Sequence, residues 1–94
     1  MKLLFTVKGK VQGVGYRKFV KYAAISNHII GAVRNLDNGD VEVFADGDQE
    51  NINSFFKEIS NPGIANITSI TKHEEGCEGY SESWIEYGEN FILC

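Results

Sequence analysis

Residues 9–17 read Gly-Lys-Val-Gln-Gly-Val-Gly-Tyr-Arg. Upstream, Leu3, Phe5 and Val7 recur at period two, the spacing of a half-buried strand. Downstream, Tyr16, Phe19, Val20 and Ala23 fall at helical spacing. The stretch is therefore a strand-to-helix junction carrying Gly9, Gly13, Gly15 and Arg17. Glycine lets backbone approach a ligand closely, and a helix start offers N–H groups with no intrahelical acceptor at the positive end of the dipole. Such a junction is a cradle for anions, above all phosphate. Arg17 adds a planar, permanently charged fork that matches phosphate oxygens. A tight turn that binds nothing has the same spacing, so the junction alone does not decide. It is neither a Walker loop nor a dinucleotide fingerprint.

Working outward, the first strand spans residues 2–11 and the first helix residues 16–27. A second strand covers 29–35. Asp37-Asn38-Gly39 then signals a hairpin, with Asn-Gly suited to a type I′ turn. Val41, Val43 and Ala45 alternate with Glu42, Phe44 and Asp46 along a third strand. Asp46-Gly47-Asp48 breaks the chain, with Asp48 placed to cap a helix. Ile52, Phe55, Phe56 and Ile59 give that second helix its apolar stripe, and Asn61-Pro62-Gly63 stops it. Alternation over residues 67–72 predicts a fourth strand. The order β-α-β-β-α-β is the ferredoxin-like arrangement, an α+β sandwich with two helices on one face of an antiparallel sheet.

Residues 31–39 read Gly-Ala-Val-Arg-Asn-Leu-Asp-Asn-Gly, followed by Asp-Val-Glu-Val-Phe-Ala-Asp-Gly. Together with Lys10-Val-Gln-Gly-Val-Gly-Tyr-Arg17, this closely resembles the acylphosphatase family. That family carries G-x-V-Q-G-V-x-[FY]-R, a helix, then G-x-V-x-N-x-x-[DN]-G and a strand. Order and spacing fit over residues 4–47, about half of the chain. One departure is Ala32, where the family often has an aromatic residue; it bears on packing, not on the polar residues.

The resemblance implies hydrolysis of the carboxyl–phosphate bond of small acyl phosphates to carboxylate and inorganic phosphate. It implies a phosphate-binding loop of Gln12, Gly13, Val14, Gly15, Tyr16 and Arg17, with Asn35 orienting the attacking water. It requires no nucleophilic side chain, metal or cofactor. The chemistry is consistent with that inventory. An acyl phosphate is a mixed anhydride with a stable carboxylate leaving group, so the tasks left are to hold the phosphoryl group, spread its charge and place a water. On residues alone, Asn35 reads as a cap for its own turn; the two motifs together turn the reading to catalysis. Gln12 shapes the loop. Arg34 falls on the other face of its strand. Lys18 and Lys21 read as solvent-facing helix residues, and His28 and His73 as exposed. Asp37, Asp40, Asp46 and Asp48 punctuate turns and lack EF-hand spacing.

The family usually closes with a short strand, and Phe91-Ile92-Leu93 matches it best, placing an extra C-terminal strand at residues 90–94. Residues 75–88 then form a long acidic loop in which Trp84, Ile85 and Tyr87 cover an edge of the core. A strand through 83–87 is the alternative.

The 94 residues suit one domain, residues 1–94. No apolar run approaches the ~20 residues of a membrane span, and the N-terminus lacks the features of a signal peptide. A cytoplasmic, monomeric protein is expected, and the Met1 start suggests a complete one. Cys77 and Cys94 follow no metal spacing and read as free thiols, with a bridge between them left open. The net charge of −4 is uneven: residues 1–36 hold five Lys, two Arg and no acid, whereas residues 37–94 hold two Lys against thirteen acids. The basic part contains the glycine loop and favours capture of small anions. So acidic a remainder disfavours nucleic acid. Two other readings compete with a free hydrolase. One is a non-catalytic binding or regulatory domain of the same fold. The other is the acylphosphatase-like domain of a larger carbamoyl-transferring protein.

Overall fold

The computed structural model describes residues 1–74 and 91–93. Strand β1 (Lys2–Lys10) leads into helix α1 (Tyr16–Ser26). Strands β2 (Ile30–Asn35) and β3 (Val41–Asp46) follow, then helix α2 (Gln49–Ser60), β4 (Asn66–His73) and β5 (Phe91–Leu93). The sheet order is β4-β1-β3-β2-β5. This is the ferredoxin-like β-α-β-β-α-β order plus one strand at the edge. Pairings β1–β3, β1–β4 and β2–β3 are antiparallel, as expected. The added strand β5 runs parallel to β2, with Gly31 opposite Phe91 and Val33 opposite Leu93, so the five-stranded sheet is mixed. Cys77 and Cys94, the acidic stretch with Trp84, Ile85 and Tyr87, and the alternative strand at 83–87 lie outside the described residues.

One core gathers the apolar residues that periodicity picked out. Phe5 and Val7 of β1, Val41, Val43 and Ala45 of β3, Val20, Ala23 and Ala24 of α1, and Ile52, Phe55 and Ile59 of α2 belong to it. Both helices therefore cover the same sheet face. Phe5 is central there, its ring centroid 5.5 Å from that of Phe56 and 6.4 Å from that of Phe55. On the opposite face the Arg34 Nε donates to Glu42 Oε1 at 2.9 Å.

Two element ends differ from the simplest sequence reading. The β2–β3 turn is not type I′. That turn needs positive φ at both central residues, but Gly39 is at φ 96° and His28 is the one non-glycine at positive φ among the described residues. Instead Gly39 N–H donates to the Leu36 carbonyl at 3.2 Å, and Leu36 N–H to that of Asp40 at 2.8 Å. The loop is thus the three-residue kind, with its left-handed residue last. Asp48 is the N-cap of α2, but its side chain makes no capping bond.

The end of α1 is closed by a Schellman motif. Ile29 N–H reaches the Ala24 carbonyl at 2.8 Å, and His28 N–H that of Ile25 at 3.3 Å. His28 sits at φ 57°, where glycine is the usual occupant.

Candidate active site

Val11 is buried at the end of β1 and anchors the loop that follows. Gly13 and Gly15 adopt φ 76° and 82°, a left-handed backbone that other L-residues populate at a cost. Gly15 is also the N-cap of α1, and the first bond of that end runs from Phe19 N–H to the Gly15 carbonyl at 3.2 Å. The first turn of α1 therefore points N–H groups of residues 16–18 out of the helix end. Glycine at the cap supplies no side-chain acceptor for them, and no acidic residue lies in the first turn.

Tyr16 fixes where that turn sits. Its ring is buried, and its hydroxyl donates to the Ile59 carbonyl at 2.7 Å, tying the start of α1 to the end of α2. Burial pushes the phenol well above its ordinary range, so it stays a neutral donor. Arg17, the next residue, is half-buried.

Gln12 ties the loop to the β2–β3 hairpin. Its Nε2 donates to the carbonyls of Leu36 at 2.7 Å and Asp40 at 2.9 Å. Its side chain is thereby committed to the hairpin. Asn35 is the last residue of β2, directly before that hairpin. Turn capping falls to Asn38, whose Oδ1 accepts from Asp40 N–H at 3.0 Å and whose Nδ2 donates to Asp40 Oδ2 at 3.2 Å. The exposed Asn35 amide makes no side-chain hydrogen bond among the described residues.

A cavity of about 170 Å³ lies where these parts meet. Gly13, Gly15, Tyr16 and Arg17 line it from the loop and helix start, and Asn35 from β2. Val11, Lys18 and Leu93 line it as well. None of these lining residues is acidic. Two of the proposed loop residues stand outside it: Gln12 faces the hairpin, and Val14 is exposed at the loop tip. Lys18 and Leu93 were not singled out in the sequence as site residues. Lys18 follows Arg17 at the helix start, and that adjacency was its available signal. Leu93 reaches the cavity only because β5 pairs with β2.

A larger groove of about 450 Å³ opens at the opposite end of β1, between β4 and α2. There Lys72 sits over the Phe56 ring at 4.0 Å, and neither Arg17 nor Asn35 takes part.

Backbone donors at a helix start, an arginine and an open amide in one cavity give this ferredoxin-like domain a site whose chemistry suits an anion. The acylphosphatase family model matches residues 3–84. An acylphosphatase of Thermotoga maritima is 37% identical over 86 residues, covering 90% of this chain and 96% of that one. The crystal structure of the acylphosphatase from Bacillus subtilis superposes with a TM-score of 0.80 at 30% identity, covering 99% and 97% of the two chains. A probable carbamoyltransferase, HypF, of Methanocaldococcus jannaschii is 37% identical over 93 residues, which make up 96% of this chain but 12% of that protein. The chain belongs to the acylphosphatase family and is an enzyme of that class.

Proposed function

We propose that this enzyme hydrolyses small acyl phosphates by holding the phosphoryl group in the cavity at the start of α1. Loop N–H groups and the Arg17 guanidinium bind its oxygens and balance the charge that spreads over them. The Asn35 amide, with both a donor and an acceptor atom, positions a water in line with the scissile bond. The water oxygen bonds to phosphorus, the bond from phosphorus to the acyl oxygen breaks, and the carboxylate leaves with its electron pair. The water's proton passes to a phosphoryl oxygen, so no side-chain base is needed. The observation that carries this reading is the meeting of Arg17 and Asn35 in one cavity, while Asn38 takes over the turn. We further infer a single-domain, cytoplasmic monomer acting without cofactor.

The match to a carbamoyltransferase supports a second reading, in which this fold serves as one domain of a carbamoyl-handling protein or binds anions without turning them over. Phosphate release from benzoyl phosphate, with p-nitrophenyl phosphate as a stable-ester control, separates the readings. A hydrolase releases phosphate from the first and spares the second. A binding domain is protected thermally by phosphate yet releases none from either.

A further inference from the structure

We propose that Lys18 makes the enzyme favour acyl phosphates whose acyl part carries a second negative charge, an inference that rests on the hydrolase reading above. Arg17 and Lys18 both line the 170 Å³ cavity, and among the described residues no acid lines it with them. They differ in exposure: Arg17 is half-buried, whereas Lys18 is exposed. The phosphoryl group is served by the loop backbone and the guanidinium. The acyl part then extends toward the exposed side of the cavity, where Lys18 is the exposed cation in the lining. A lysine suits that task. Its flexible stem and point charge accept a carboxylate or phosphate over a range of positions, where a fork would demand one geometry. A neutral acyl group gains nothing from this cation.

The test compares kcat/KM for succinyl phosphate, which carries a distal carboxylate, with that for benzoyl phosphate, which does not. In Lys18→Met the ratio of succinyl to benzoyl kcat/KM should fall about threefold to fivefold, the scale of one exposed ion pair, and mainly through KM. Lys18→Arg should restore the ratio. Lys21→Met removes the same charge from α1 outside the cavity lining and should leave it unaltered. An unchanged ratio in Lys18→Met overturns the proposal, whether both substrates suffer equally or neither does. So does an equal shift in Lys21→Met, which would assign the preference to the field of the whole basic region. If the unaltered enzyme turns over neither substrate, the hydrolase reading falls first and the specificity claim with it.

Discussion

At the residue scale, the proposed chemistry divides between a group that binds and a group that aims. Arg17→Lys keeps the charge but loses the two-pronged contact, so kcat/KM on benzoyl phosphate should drop about a hundredfold. Asn35→Ala should lower kcat by a similar factor, about a hundredfold, while the phosphate inhibition constant stays within about twofold. If Asn35 only shaped the hairpin, the same variant would melt earlier and turn over normally. Steady-state kinetics, phosphate inhibition and a melting curve on one sample separate the two roles. Arg17 and Asn35 could be picked out from sequence because each sits in a motif at a fixed distance from a glycine. Lys18 could not, since a lysine on the first turn of a surface helix is ordinarily solvated. Leu93 had no local signal at all, because a strand pairing puts it in the wall.

At the scale of elements, two contacts set how α1 is held. Tyr16 pins its start to α2 through the bond to the Ile59 carbonyl. Tyr16→Phe leaves that carbonyl without its partner and should cost about 1–2 kcal/mol. The pH dependence follows from the raised phenol. The folded state resists ionisation, so the stability due to Tyr16 is fully present below the ordinary tyrosine range, near ~10, and is lost as pH rises above it. Denaturant titrations from pH 8 to 11 should show the unaltered protein losing stability above about pH 10, and Tyr16→Phe losing less over the same range. At the other end of α1, His28 occupies the left-handed position of the Schellman motif with an exposed side chain. His28→Gly relieves that backbone at the cost of a freer unfolded chain, for a net gain of about 0.5–1 kcal/mol. Calorimetry should find Tm raised by a few degrees. A Tm that falls would mean the imidazole contributes more than the strained backbone costs. The motif itself was hard to foresee, because its usual marker is glycine or asparagine at the position His28 holds. The hairpin was foreseen and its turn type was not, since Asn-Gly serves two-residue and three-residue loops alike.

At the scale of the whole molecule, helix faces and antiparallel pairings were legible because apolar periodicity fixes which side of each element is buried. The direction of β5 was not. Three residues of alternation are the same read either way, and only pairing with β2 sets the sense. Charge was legible as well: the basic first third contributes every cation that lines the cavity, Arg17 and Lys18. Phosphate should therefore stabilise the fold by mass action, by about 2.7 kcal/mol at a hundred times its Kd. Most of that gain should vanish in Arg17→Ala.

The interior position of β1, between β4 and β3, also bears on the order of events in time. Its neighbours are remote in the chain, Leu3 lying opposite Ala45 and Phe5 opposite Lys72. Loops of about 40 and about 65 residues must close before this strand has partners, which places folding on a millisecond-to-second scale although the β2–β3 hairpin can form in microseconds. The glycine loop hangs from the end of β1 and is clamped by Gln12 to that hairpin, so it takes shape only once both are docked. On the proposed function, an anion recognises the finished fold but not the states that lead to it. Stopped-flow measurements in phosphate should show slower unfolding and an unchanged refolding rate, which makes the ligand a brake on loss of structure rather than a guide to its formation.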